Sequence, residues 1–600
     1  MKNRLITATL IFAKLALIWL VALILLRVFE VLLNGFGHEF PDELPRFLFW
    51  AAVADIVFWF QWLFWQYLVF LLLSLLSPRL ARGVYAAFIV IITIIQLSLV
   101  QYFYTSLVPL GADFYGYSIT DIKQTVGASG SLNIQLILSF LLFLGLLIAA
   151  LRFFPPKINI PFGAAIAFPV ISFLFLMSGV LNHISGKPFK SDFVNNMLLN
   201  KAAYFFGSSY AHFYQDDEDI YADAYIGDFE GREVSPSAFR LIGGTKFPFY
   251  REVDSTDVLS PFFNIPESRP NIVIVLVEGL GRAFTNDGAY LGNFTPFLDS
   301  LSKKSLYWKN FLSEGGRTFA VLPSLMGSLP FSKNGYLELG DQMPAHLSLF
   351  NLLKYSGYQT SFYYGGDASF DNMSLFLKQN NVDEINDINS FPKGFTKLPA
   401  ANGFTWGYGD TALFRHYFAS RRYQTAPPQL NVLLTVATHN PFLINDQQKY
   451  LKRFEERLNA LGLDNAEKDT YRNYKLQYSS ILYTDDAVQQ FFDNYKKRKD
   501  FANTIFLITG DHRMPEIPMR NKIDRYHVPL IIYSPLLKRT AQFASISTHF
   551  DIAPSLLAFL HHNFALKVPS QASWLGEGLD TARAFRNIHK YPLMQTKQIS

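Results

Sequence analysis

The chain has 600 residues, of which half are hydrophobic, 17% charged and 16% aromatic, with 58 Phe and 31 Tyr. It is too apolar to be disordered and long enough for more than one structural unit. Lys+Arg 53 against Asp+Glu 48 leaves a net charge of +5, too mild for a dedicated nucleic-acid binder, and the absence of cysteine excludes disulfides, Cys-ligated zinc, Fe–S clusters and a catalytic thiol.

In chain order, long apolar runs come first. Leu5–Leu33, Phe47–Leu76, Gly83–Leu107, Leu132–Leu151 and Phe162–Leu181 each reach the roughly 20 mostly apolar residues that a membrane-spanning helix requires. Lys14, Arg27 and Glu30 interrupt the first run, which is too long for a cleaved signal peptide and reads as an uncleaved anchor. Lys2 and Arg4, Arg79 and Arg82, and Arg152 and Lys157 flank the runs on one side, whereas the alternate loops carry no basic excess. By the positive-inside rule the N-terminus is then cytoplasmic, and five spans place everything after residue 182 outside. Arg27 and Asp55 fall within spans, where an ionisable residue is either functional or a buried pair fixing two helices.

Residues 183–270 read as a juxtamembrane connector. Within it, Asn195–Tyr214 carries an apolar face (Met197, Leu198, Ala202, Tyr204, Phe205), suited either to the outer leaflet surface or to packing on a folded domain.

From residue 271 to 600 the pattern alternates strands and helices. Asn271–Val277, Gln359–Tyr364, Leu430–Val436, Thr504–Thr509 and Val528–Tyr533 are expected strands; Phe294–Lys304, Leu347–Ser356, Tyr471–Lys499 and Phe550–Leu560 are expected helices. Such alternation implies an α/β sandwich with a mainly parallel sheet, whose ligands gather at the carboxyl ends of strands. Glu278 follows the first of these strands, Thr438-His439-Asn440 follows another, and Asp511-His512 follows a third. Two hard carboxylates with one imidazole suit Mn2+, Mg2+ or Zn2+. Ser313-Glu314-Gly315-Gly316-Arg317-Thr318 places a hydroxyl after a glycine pair at an expected helix start, where backbone N–H groups favour a phosphate and a metal would activate the oxygen. Gly279-Leu280-Gly281 is only a partial dinucleotide fingerprint without its third glycine.

A strand ending in Glu278, Thr318 after a glycine-rich turn, and a late strand ending in Asp511-His512 resemble the alkaline-phosphatase/sulfatase superfamily. Five membrane helices before such a domain resemble, more narrowly, the lipoteichoic acid synthases and their phosphoglycerol-transferase relatives, as does the segment Tyr364-Gly365-Gly366-Asp367-Ala368-Ser369-Phe370-Asp371-Asn372-Met373. The resemblance implies an alkaline-phosphatase-like fold and a single divalent metal, Mn2+ foremost, on Glu278, Thr318, Asp511 and His512. It implies Thr318 as nucleophile, His439 and His527 as further active-site histidines, and Arg317, Asp371, Asn372 and His439 as substrate contacts. The implied reaction moves a phosphoglycerol-type head group from an outer-leaflet phospholipid to a glycan or glycolipid, through a phosphothreonine, at the outer face of a bacterial inner membrane. Asp371-Asn372 replaces the Trp-x-Arg of lipoteichoic acid synthases, and Pro323 lies five residues after Thr318 as in phosphoethanolamine transferases. Phosphoethanolamine transfer and plain hydrolysis are therefore the alternatives.

Overall fold

The computed structural model describes residues 2–38, 40–41, 43–116, 134–177, 189–214, 250–253, 256–329, 336–401, 403–420, 427–589, 591 and 593–594. Its contacts divide into two compact units. One comprises Met1–Phe114, Ser131–Gln215 and Pro518–Asn521; the other comprises Tyr115–Gly130, Asp216–Ile517 and Lys522–Ser600.

The first unit is helical. Among the described residues, α1 (Lys2–Gly37), α2 (Leu44–Leu76) and α3 (Pro78–Ser106) are long and apolar enough to cross a membrane. The next two, α4 (Ile134–Phe153) and α5 (Phe162–Met177), are apolar but shorter than that criterion over the residues searched. Three helices of spanning length thus stand where five spans are expected, and the end of the fifth run, 178–181, lies outside the described residues. Aromatic side chains knit the bundle: Phe12 stacks on Tyr85 with ring centroids 4.9 Å apart, and the Trp59 indole donates to the Ala16 carbonyl at 3.0 Å.

Arg27 and Asp55 are partners. The guanidinium donates in a fork to both Asp55 oxygens (2.9 and 2.8 Å) and reaches Glu30 at 2.9 Å. Two short helices, α6 (Asp192–Leu198) and α7 (Lys201–Tyr214), complete the network from the stretch expected as a connector. Lys201 Nζ lies 2.7 Å from Glu30, Asn200 donates to Asp55 at 2.8 Å, and the Met197 carbonyl accepts from both Arg27 and Lys201. All four charged side chains are buried. Each charge faces an opposite one, and the chain break between α6 and α7 turns its carbonyls toward the two cations. Paired and hydrogen-bonded in this way, buried charges are tolerated. Further along α7, Tyr210, Phe213 and Tyr214 are exposed.

The second unit is built on an eight-stranded sheet. In chain order its strands are β2 (Asn271–Val277), β3 (Leu306–Leu312), β4 (Gln359–Tyr364), β5 (Glu384–Asn386), β6 (Gln429–Leu434), β7 (Thr504–Gly510), β8 (His527–Tyr533) and β9 (Ala541–Thr548), with β1 (Arg251–Glu252) and β10 (Gln571–Ala572) forming a separate small pair. The spatial order is β5-β4-β6-β2-β7-β8-β3-β9. Strand β8 runs antiparallel to both of its neighbours and the other pairings are parallel. Every residue of β2, β6 and β7 is buried, as continuous β-branched runs covered on both faces require. The strand expectations at β2 and β4 match to the residue, whereas β3 and β9 were not expected. The expected helix Tyr471–Lys499 is instead two, Asn465–Arg472 and Lys475–Tyr495, the first opened by a reciprocal capping box between Asp464 and Glu467.

Candidate metal and nucleophile site

Strands β6, β2 and β7 are neighbours in register. Leu276 pairs with Leu434 on one side, and Val277 pairs with Gly510 on the other. Whatever follows them emerges side by side: Glu278 after β2, Asp511-His512 after β7, and Thr435 to His439 after β6. The backbone tightens this edge further. Glu278 N–H donates to Thr435 Oγ1 at 2.9 Å, Thr438 Oγ1 donates to the Glu278 carbonyl, and Gly279 N–H donates to Asp511 Oδ1 at 2.8 Å. Gly279 takes a positive φ of 65°, and a Cβ at Gly281 would strike the Arg513 side chain. Both glycines of the partial fingerprint therefore serve the Asp511-His512-Arg513 turn.

Glu278, Asp511 and His512 bring one donor atom each within 4.8 Å of one another, the one such group among the described residues. His512 Nε2 lies 3.4 Å from Glu278 Oε1 and 3.4 Å from Asp511 Oδ2. Thr318 joins them, with Oγ1 donating to Glu278 Oε2 at 3.0 Å and lying 3.4 Å from His512 Nε2. All four residues are buried.

The donor set fits a divalent cation. His512 Nδ1 lies 2.9 Å from the Arg513 carbonyl and donates to it, so with an ion bound Nε2 would be the ligand nitrogen on the side of the carboxylates. Asp511 Oδ1 is held by the N–H groups of Gly279 and His512, while its buried Oδ2 has no hydrogen-bond partner. Burial and the Asp511 charge raise the Glu278 carboxyl well above its usual range. Burial opposes charge on His512, but Asp511 and Glu278 outweigh it and raise its pKa. Two carboxylates this close, away from water, favour uptake of positive charge.

Thr318 opens a short helical turn, Thr318–Ala320, behind Arg317 in extended conformation. A Cβ at Gly315 would collide with Ala320, so this glycine permits the turn to close. Arg317 and His512 both act on His439, and burial together with these two charges pushes its imidazole down to about 3. His439 is thus neutral near pH 7. It packs against Trp406 in a tilted pair with centroids 3.9 Å apart, and the Trp406 indole donates to the neighbouring Asn440 carbonyl at 2.6 Å.

Asp371 takes a φ of 50° and sits among the negative charges that, after burial, raise the Tyr364 phenol; Glu278 and Asp511 are among the others. Asn372 spends its amide on the Leu337 carbonyl at 3.1 Å. His527 is not brought into the cluster. It begins β8 with Nε2 2.8 Å from the Lys309 carbonyl, and its charged neighbours are Arg282, Asp524 and Arg513.

Three participants escape the sequence reading. Tyr364 stands at the end of β4, beside the charges of the site. Glu516, half-buried four residues past His512, has its carboxyl pushed up to about 7 by burial, against the pull of His512, Arg317 and Arg525. Trp406 reaches His439 because Gly365 and Gly407 pack backbone against backbone: Tyr408 N–H donates to the Gly365 carbonyl at 2.9 Å, and a Cβ at either glycine would strike the other strand of this contact. The signal available was Gly407 and Gly409, which alternate with Trp406 and Tyr408.

Residues 270–562 match the Sulfatase family model. The chain is similar to the lipoteichoic acid synthase-like protein YvgJ of Bacillus subtilis (strain 168), with 20% identity over 52% of this chain and 50% of the relative. It is similar to phosphoglycerol transferase I of Xanthomonas campestris pv. campestris (strain B100), with 26% identity over 44% of this chain and 37% of the relative. The chain spans half or less of the length of these curated relatives. Among solved structures it is similar to the lipoteichoic acid synthase LtaP of Listeria monocytogenes, at 20% identity and a TM-score of 0.42 over 52% of this chain and 78% of that one.

Proposed function

We propose that this chain is a phosphotransferase that moves a phosphoglycerol-type head group from an outer-leaflet anionic phospholipid to a hydroxyl of a glycan or glycolipid. The observation that carries this reading is the meeting of Thr318 Oγ1 with Glu278 and His512, which with Asp511 follow two adjoining strand ends. The names of the curated relatives favour phosphoglycerol over other head groups. A divalent cation, Mn2+ foremost, held by Glu278, Thr318, Asp511 and His512 would supply Lewis acidity and offset charge at the reacting phosphate.

In the first step Thr318 Oγ1 attacks the phosphorus of the lipid phosphodiester. Its proton passes to Glu278, the carboxylate it already faces. The bond from phosphorus to the diacylglycerol oxygen breaks, and that oxygen takes a proton from water as it leaves. The head group is now a phosphothreonine diester. In the second step an acceptor hydroxyl gives its proton by way of neutral His439 to water and attacks the same phosphorus, and Thr318 departs, taking back the proton held on Glu278. Arg317 would balance charge on the phosphate oxygens, and Asp371 and Tyr364 would offer partners to the glycerol hydroxyls. His527 is given no step, because its Nε2 is engaged by Lys309. Five spans with a cytoplasmic N-terminus and the α/β unit outside, anchored through the 183–270 stretch at the inner membrane, would keep the site beside a lipid that scarcely leaves the bilayer.

Incubation with phosphatidylglycerol vesicles followed by mass spectrometry of the Thr318 peptide tests the reading. A phosphoglycerol adduct on that peptide, absent in Thr318→Ala together with turnover, is expected. Turnover surviving in Thr318→Ala rejects it, and release of free phosphoglycerol with no product on the glycan moves the assignment to a hydrolase.

A further inference from the structure

The turn that carries Thr318 is clasped by a segment lying beyond the part of the chain that matches the family model, which ends at residue 562. Gly315 bridges Met594: Gly316 N–H donates to the Met594 carbonyl at 2.8 Å, and Met594 N–H donates to the Glu314 carbonyl at 2.9 Å. Gly315, Gly316 and Met594 are all buried. Without Met594 a buried donor and a buried acceptor two to four residues before the nucleophile would be left unsatisfied. The other side of the turn is already anchored, since Ser313 N–H donates to the Tyr526 carbonyl at 2.7 Å.

The clasp is itself tied down. Tyr591 donates to Asp551 at 3.2 Å and stacks on His589, whose buried ring lies 3.8 Å from the same carboxylate. Asp551 precedes the helix Ile552–Phe564 and also accepts from the N–H groups of Thr548, Glu577 and Gly578. The Glu314 side chain, fully buried, sits against this group beside Thr548, Phe550 and Asp551. A run of chain from Glu577 to Met594 therefore links the start of a core helix to the backbone beside Thr318.

We infer that Met594 is a positioning residue: its two backbone bonds hold the Glu314–Gly316 turn so that Thr318 Oγ1 meets Glu278 and His512. This rests on the reading of Thr318 as nucleophile. The two backbone bonds of Met594 run to Glu314 and Gly316 and not to Glu278, Asp511 or His512, so their loss displaces the attacking oxygen while leaving those three ligands in place. A misplacement of that kind lowers kcat more than KM.

The test combines exchange and kinetics on the full-length chain. In the wild type, the Gly316 and Met594 amides are expected to exchange slowly and together; a Gly316 amide exchanging like an open turn overturns the inference without any variant. Met594→Pro removes the donor N–H and Met594→Leu keeps it. With phosphatidylglycerol vesicles and diacylglycerol release as readout, Met594→Pro should lower kcat about 10- to 100-fold with KM and Mn2+ affinity within about twofold, and Met594→Leu should match the wild type. Wild-type kcat in Met594→Pro overturns the inference, as does loss of Mn2+ binding with the melting transition, which would make the segment a folding element. Thr318→Ala separates the two readings. Turnover surviving there rejects the nucleophile and leaves the exchange result to be judged alone.

Discussion

At the scale of single residues, the candidate site is a set of donors whose remaining valences are already spent on the backbone. Asp511 gives one oxygen to two N–H groups and keeps the other bare. Asp511→Asn preserves the first role and replaces the bare oxygen with an amide, so Mn2+ affinity measured by calorimetry should fall at least about 10- to 100-fold with little change in melting temperature. His549 is a different kind of histidine. It is fully buried with Nε2 3.0 Å from the Gly510 carbonyl, and burial pushes it down to about 3. Its unfolded value lies near 6.5, so between pH 6.5 and 3 the unfolded chain binds one more proton than the folded one. Its contribution is therefore complete above pH 6.5 and is lost as pH falls toward 3, by roughly 1.4 kcal/mol per unit at most. His549→Asn should flatten the acid limb of stability in pH-dependent thermal unfolding; an unchanged limb would place the sensitivity elsewhere.

Among the secondary-structure elements, legibility in the sequence followed burial. Strands β2 and β7 are buried throughout and read as unbroken apolar runs, so their ends, and with them Glu278, Asp511 and His512, could be located from residues alone. Strand β3 mixes Lys309 and Asn310 into an aromatic run, and β9 is covered on alternate residues only, so neither announces itself. Trp406 and Lys201 were invisible for another reason: each acquires its role from a partner far along the chain. The joint between α6 and α7 illustrates this. Lys201→Met alone leaves Glu30 facing a single cation and should lower the melting temperature of the detergent-solubilised chain sharply, at a cost of about 3–5 kcal/mol. Pairing it with Glu30→Gln removes both charges and should recover most of the loss. Failure of the double variant to recover would mean that Lys201 acts chiefly on the Met197 and Leu199 carbonyls.

For the whole molecule, the absence of cysteine makes topology directly measurable, because any introduced thiol is unique. Tyr355 is among the most exposed large side chains of the α/β unit. In intact cells, Tyr355→Cys should react with a membrane-impermeant maleimide, whereas Lys2→Cys should react only after the membrane is opened. The reverse pattern would put the α/β unit inside and remove its access to an outer-leaflet lipid.

The shared ladder beneath the two ligand-bearing strand ends has a consequence for ion choice. Neighbouring strands keep a fixed separation of about 4.8 Å, so the frame around the cation behaves as a rigid gauge. Only side-chain torsions of Glu278, Asp511 and His512 can adapt to ionic radius. Replacing Mn2+ by the smaller Mg2+ should then alter how many solvent molecules complete the shell and leave the strands where they are.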